Sequence, residues 1–298
     1  MFTNTSAVNS LRIIKLPSYT GPHLKTTKYL FYLFNIFMME KRVFIVTGAA
    51  VGLGFATADQ LASTGAELTL VDYDASALKM AKKTIGEKYP DIAIVTVVGD
   101  VAKEETAKNY VAETMKVFGR IDGLYNNAGI EGRQAPLVEY NLDTFEKVID
   151  INLMGVYFGM RQVIPVMQEQ KYGRIVNVAS VGGIRGVINQ TAYVASKHAV
   201  VGMTKNAAIE YAKDNILTNA IAPGAILTPM VEEAFKQVNP EDPKAAEATY
   251  ASRNPTRRLG VPEDVAKVVA FLLSADNGYV NGQTIAIDGG ESELYGNA

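Results

Sequence analysis

The sequence predicts a doubly wound α/β fold around a parallel sheet. Short apolar runs alternate with longer helical patterns from Val43 to Ile287, which is the layout of βαβ units. The runs are near-continuously apolar, as strands covered by helices on both faces should be. A glycine-rich turn also sits where the first strand passes into the first helix. In chain order, Val43–Val46 reads as a strand and Leu53–Ser63 as a helix ending at Gly65. Glu67–Val71 and Ser76–Lys88 repeat the pair, followed by strand Ile92–Val98 and helix Glu104–Phe118. Ile121–Tyr125 is the next strand, and Leu142–Gln168 reads as one long helix closed by Lys171-Tyr172-Gly173. Strand Ile175–Val178, helix Tyr193–Lys213, strand Thr218–Ile221, helix Val261–Ser274 and strand Thr284–Ile287 complete the set. Right-handed crossovers then place helices on both faces.

The 298 residues are 48% hydrophobic and 20% charged, with a formal net charge of -2. That balance argues against a nucleic-acid binder, which carries a basic patch or stripe. Without Cys, no disulfide, zinc-thiolate or cysteine nucleophile is available. His23 and His198 form no acid–base or metal pair, and no metal is expected. Residues 1–39 read as a leader, disordered or not native, with Met38 or Met39 as the natural start. Their apolar run Tyr29–Met39 is far shorter than the roughly 20 residues of a membrane span. It also lacks a small-residue cleavage site, since Glu40-Lys41-Arg42 follows. A peripheral membrane or partner contact is the alternative. The remainder, 40–298, is expected to be one cytoplasmic domain. Residues 228–260, with Pro229, Pro240, Pro243 and Pro255, form an irregular insertion too long for an ordinary connection. It follows a strand's carboxyl end, where open α/β sheets bind ligands, and reads as a substrate lid.

Thr47-Gly48-Ala49-Ala50-Val51-Gly52-Leu53-Gly54 follows the first strand and opens the first helix. Glycines there allow a tight turn and a close approach of backbone to a diphosphate, which the helix N-terminus attracts. Gly48, Gly52, Leu53 and Gly54 are therefore candidate cofactor contacts. Asp72 ends the second strand about 20 residues on, where an acid binds both adenosine ribose hydroxyls. It repels a 2′-phosphate, and neither Tyr73 beside it nor Val51 in the turn offers a cation. The site favours NAD over NADP. A helix or turn cap is the competing role for Asp72.

Tyr193 and Lys197 stand four residues apart in a helical pattern and share a face. An ammonium there should lower the Tyr pKa from about 10 toward neutrality, making it an acid–base for an alcohol or carbonyl oxygen. Such a pair alone is usually just a helix surface. Ser180 closes a strand at the ligand-binding edge and is able to donate to a substrate oxygen or to cap the strand. Asn152 lies inside a long apolar helix, where a buried amide needs partners.

Together with Asp100-Val101, Asn126-Asn127-Ala128-Gly129 and Pro223-Gly224-Ala225-Ile226-Leu227-Thr228, in this order, these blocks resemble the short-chain dehydrogenase/reductase family over about residues 41–298. The resemblance implies a Rossmann-type sheet of seven strands in order 3-2-1-4-5-6-7. It implies Tyr193 as acid–base, Lys197 holding the nicotinamide ribose, Ser180 orienting the carbonyl and Asn152 holding a relay water. Asp100 and Val101 would meet adenine, and Asn127, Ala128 and Gly129 the adenosine side. Pro223, Gly224, Ile226 and Thr228 would line the nicotinamide side. A homotetramer is implied, with Leu142–Gln168 and Tyr193–Lys213 in the contacts. Within the family the chain looks most like NAD-dependent reductases of cyclic ketones, with hydroxysteroid and cyclohexanediol-type dehydrogenases nearby. Glu131, Arg133, Val181, Ile188, Gln190 and the lid flank the reacting end. Being mostly apolar, they favour a neutral, compact, cyclic ketone or secondary alcohol. Arg133, Arg185, Arg253, Arg257 and Arg258 keep an acyl-carrier substrate as an alternative. A non-catalytic NAD-binding module is the other, although such a module is expected to have lost Tyr193, Lys197 or Ser180.

Overall fold

In the computed structural model, residues 41–294 are described, and the expected leader lies outside them. Seven parallel strands form one sheet in the order β3-β2-β1-β4-β5-β6-β7. They are β1 Val43–Thr47, β2 Glu67–Asp72, β3 Ile94–Val98, β4 Gly123–Asn126, β5 Gly173–Val178, β6 Ile216–Pro223 and β7 Thr284–Ile287. The helices are α1 Gly52–Ala62, α2 Ala75–Lys88, α3 Glu104–Phe118, α4 Leu142–Ile149, α5 Gly155–Gln170, α6 Thr191–Tyr211, α7 Pro229–Val238, α8 Pro243–Arg253 and α9 Pro262–Leu273. The apolar runs bury both faces of their strands. Phe44, Val46, Leu68, Leu70 and Val176 pack on one side with Leu61 of α1, Ile85 of α2 and Val269 of α9. Ile45, Val71, Leu124 and Ile175 pack on the other with Tyr110 of α3, Val163 of α5 and Val200 of α6. At roughly 25 cal/mol per Å² of apolar surface, these two layers are the main source of stability.

Two expectations need correction. The stretch Leu142–Gln168 is not one regular helix. A π-helical turn, Asp150–Met154, separates α4 from α5, which runs on to Gln170 before Lys171 at φ 55° ends it. Periodicity alone misses this, because the five residues of the π turn are too few to show a period of their own. Residues 228–260 are not irregular either. Pro229 and Pro243 begin α7 and α8, with Thr228 and Asp242 as their N-caps. Proline suits the first helical turn, where its missing N–H costs nothing. Among the described residues no helix is long and apolar enough to cross a membrane.

The order places β1 beside β4, so the chain leaves the two central strands in opposite directions. Their carboxyl ends open a crevice at this switch point. Thr47, Asn126 and Val178 end β1, β4 and β5 on that edge.

Candidate active site

The turn after β1 is built on left-handed glycine geometry. Gly48 and Gly52 take φ of +62° and +58°, a region that side chains rarely adopt. A Cβ on Gly54 would stand 1.9 Å from Gly48 O. Val51, at the α1 N-cap, supplies no capping side chain, which leaves first-turn N–H groups and the dipole's positive end for an anion. Leu53 packs into the core and steadies that turn. Thr47 organises the neighbouring loop: its hydroxyl oxygen accepts from Asn127 N at 3.0 Å and Ala128 N at 3.1 Å. Asn127 Nδ2 returns two hydrogen bonds, to Thr47 O and Gly48 O, each at 3.0 Å. Asn127 thus staples the two loops together. Thr47 carried no role in the sequence reading, although a hydroxyl at a strand end before a glycine turn was the available signal.

Asp72, 7% exposed, ends β2 beside this turn. Its two oxygens accept from Ala50 N at 3.0 Å and Asp74 N at 3.1 Å. The helix-capping role falls to Asp74, which accepts from Ser76 N and Ala77 N. No ion pair to Asp72 exists among the described residues, and Tyr73 is 81% exposed. Each Asp72 oxygen keeps further acceptor capacity for a ribose hydroxyl. Asp100 lies past β3 with Oδ1 accepting from Ala102 N at 2.9 Å, and Val101 packs against Gly155. This glycine turn, free helix end and acidic strand end fit a dinucleotide.

The structure gathers the four expected catalytic residues, Asn152, Ser180, Tyr193 and Lys197, around β4, β5 and α6. Asn152, fully buried, lies in the π turn, a feature frequent at functional sites. Its Oδ1 accepts from Ile130 N at 2.8 Å, while Nδ2 donates to Ile130 O at 2.8 Å and Ser196 Oγ at 3.2 Å. Ser196 donates in turn to Tyr193 O at 2.7 Å. Asn152 therefore ties the loop after β4 to the helix that carries Tyr193. Gly129 completes the contact, since a Cβ there would stand 3.1 Å from Asn152 Oδ1 and 3.4 Å from Lys197 Nζ. Ser180 accepts from Gly182 N at 3.1 Å and caps the short turn Val181–Gly183.

Lys197, 2% exposed, donates to Val178 O at 2.8 Å and sits 5.5 Å from the Tyr193 ring centroid. The expected depression of the Tyr193 pKa is not found in this structure. Burial pushes the phenol up to about 12, a hydrogen bond with Ser180 opposes it, and the Glu131 charge adds to the rise. Burial also brings Lys197 down to about 8. Tyr193 is half-buried by surface, yet its hydroxyl surroundings are desolvated.

At the carboxyl end of β6, Pro223 ends the strand and Gly224 N donates to Ile287 O at 3.0 Å. The Ile226 side chain turns into the core against Gly260, so only its main chain is left to meet a ligand. Thr228 Oγ1 donates to Ile226 O at 3.2 Å, and its methyl lies near Gly52. At the mouth, Glu131 Oε1 accepts from Gln134 Nε2 at 2.9 Å and Gln190 Nε2 at 2.5 Å, and burial raises its pKa. Ile188 is exposed there. Of the five arginines, Arg185 and Arg258 are engaged by Glu291 and Asp264. His198 is exposed, with Nδ1 on Val194 O, away from this group.

A family profile described as "Enoyl-(Acyl carrier protein) reductase" matches residues 48–292. Levodione reductase of Leifsonia aquatica is 50% identical over 254 residues, covering 85% of this chain and 95% of that protein. A crystal structure of levodione reductase aligns with a TM-score of 0.84, covering 85% and 98% of the two chains. The 3-oxoacyl-(acyl-carrier-protein) reductase FabG of Thermotoga maritima is 42% identical over 256 residues, covering 85% and 98%. A structure titled "ElxO with NADP Bound" is 33% identical, with a TM-score of 0.77 and coverage of 86% and 100%. With the strand order and the reacting group above, these matches identify the chain as an oxidoreductase that belongs to the short-chain dehydrogenase/reductase family.

Proposed function

We propose that the protein transfers a hydride between NAD(H) and a secondary alcohol or ketone, with a neutral, compact, cyclic ketone as the preferred class. The observation that carries this reading is the meeting of Ser180, Tyr193 and Lys197 at the carboxyl ends of β5 and β4, beside a dinucleotide cradle. When bound, the nicotinamide supplies or accepts the hydride. Ser180 orients the carbonyl oxygen, and Tyr193 donates its proton to that oxygen. Asn152 holds the helix and loop in register. With its pKa near 12, Tyr193 is protonated at neutral pH, the form that reduction needs. Oxidation needs the phenolate, so its rate rises with pH while reduction stays flat near neutrality. We assign α7–α8 as the substrate lid, since Gln237 of α7 accepts from Gln134 N at 3.1 Å across the cleft.

NAD preference rests on Asp72 and on the lack of a basic side chain beside it, against a structural relative that binds NADP. The exposed Ile188 at the mouth and the likeness to levodione reductase support a cyclic ketone. The likeness to a 3-oxoacyl reductase favours a carrier-bound substrate as the second reading. Its weakness is that two of the mouth's arginines already hold carboxylates. We further propose a cytoplasmic homotetramer joined through α4–α5 and α6, whose exposed Leu142, Tyr157 and Ile209 suit an interface. Sedimentation of the purified protein reads its mass directly. The catalytic test is Tyr193→Phe: NADH still binds, while ketone turnover falls by roughly 10²–10⁴-fold. Normal turnover in that variant would sink the assignment.

A further inference from the structure

The turn after β7 reaches a position that the chemistry above leaves unused. Glu291 opens this short turn, Glu291–Glu293. Its Oε1 accepts from Arg185 Nη2 at 2.7 Å and from the Tyr250 hydroxyl at 2.6 Å. Its main-chain oxygen accepts from Arg185 Nη1 at 2.9 Å. One guanidinium thus grips both the side chain and the backbone of the same residue. Three segments far apart in sequence meet on this carboxylate. Arg185 follows the turn that Ser180 caps, and its N–H donates to Val181 O at 3.1 Å. Tyr250 belongs to α8, and its ring stands edge-on to Phe235 of α7, with centroids 5.9 Å apart. The Glu291 turn itself is fixed by Asp288, which accepts from Gly290 N at 2.9 Å and Ser292 N at 2.8 Å. Asn254, just past α8, donates to Asp288 O at 2.8 Å.

The site leaves little slack. A Cβ on Gly224, beside the nicotinamide-side loop, would stand 3.2 Å from Glu291 Oε2. Hydrogen bonds to an ionised acceptor are the strong kind, and the arginine fork adds orientation. The lid is therefore held at one point on each helix, by Gln134 on Gln237 of α7 and by Glu291 on Tyr250 of α8.

We infer that Glu291 is a positioning residue: it clasps the lid, through Tyr250, to the turn that presents Ser180, through Arg185, and so keeps the substrate side of the cleft closed. The kinetic part rests on the hydride-transfer reading above, while the clasp itself does not. Tyr250→Phe removes one donor and leaves the Arg185–Glu291 pair and the ring packing. Glu291→Gln removes the charge while keeping the shape.

The test uses the full chain in both variants. Amide hydrogen exchange is followed over residues 229–253 without substrate. Ketone KM, kcat and NADH affinity are measured beside it. The expected result is faster exchange in α7 and α8 and a KM raised about tenfold, as loss of a hydrogen bond to a charged group implies. kcat should stay within about twofold and NADH affinity should not move, since the group acts on substrate binding alone. Unchanged exchange in both variants overturns the clasp. Faster exchange or a lowered Tm with unmoved KM overturns the positioning role, because a merely structural contact gives that pattern. If the wild type reduces no ketone with either nicotinamide cofactor, the hydride-transfer reading fails, and hydrogen exchange alone still decides the clasp.

Discussion

A buried lysine and the half-buried tyrosine beside it set the behaviour of this site at the residue scale. Lys197 falls to about 8 because burial disfavours its ammonium. The unfolded chain holds that proton up to about pH 10.5. Between these values the unfolded state binds more protons, so folding stability from this residue rises with pH. Below about 8 the burial cost is fully present. Tyr193 has the opposite sign: its folded value of about 12 exceeds the unfolded value of 10.0, so its contribution falls above pH 10. The stability of wild type relative to Lys197→Met should therefore grow from pH 8 to 10, at up to about 1.4 kcal/mol per pH unit. Denaturant titrations at several pH values check this, and a flat difference would contradict it. Asp72→Ala should raise the NADH Kd about tenfold or more and abolish discrimination against NADPH. Since Asp72 also holds Ala50 and Asp74, Tm is read in parallel, and a retained NADH preference would refute the assignment.

At the scale of elements, the glycine turn and the π turn do the positioning. Gly54→Ala forces a Cβ against the Gly48 carbonyl. Backbone cannot step aside there, so the substitution should cost about 1–3 kcal/mol and weaken NADH binding, readable by calorimetry. Asn152→Ala leaves the N–H and C=O of Ile130 without their partner. An unpaired group costs up to about 1–3 kcal/mol where it is buried, and Ile130 is half-buried, so this variant should unfold at lower denaturant. These two elements were unequally legible in the sequence. The glycine spacing after an apolar run announced Gly48, Gly52 and Gly54, because backbone conformation there depends on residue type. The π turn left no trace, since Asn152 in an apolar stripe looks the same in either helix. The α7–α8 excursion was misread for a related reason. Its prolines look like breakers until Thr228 and Asp242 are recognised as caps that put Pro229 and Pro243 in first turns.

At the scale of the whole molecule, the sheet was the most legible feature. Near-continuously apolar strands such as β1, with its run Val43–Val46, demand cover on both faces, and right-handed crossovers then leave few orders for seven strands. Contacts between distant loops were not legible. Nothing local in Arg185, Tyr250 or Glu291 signals that they meet, because only the folded sheet brings β5, α8 and the turn after β7 together. The Tyr193 pKa belongs to the same class, being set by burial rather than by the four-residue spacing to Lys197. The most direct test of the central claim is the initial rate of NADH oxidation with cyclic diketones, cycloalkanones and ketosteroids, with NADPH run in parallel. The account predicts turnover of a cyclic ketone with NADH and little with NADPH. Silence across the panel with NADH bound, or a preference for NADPH, would contradict it.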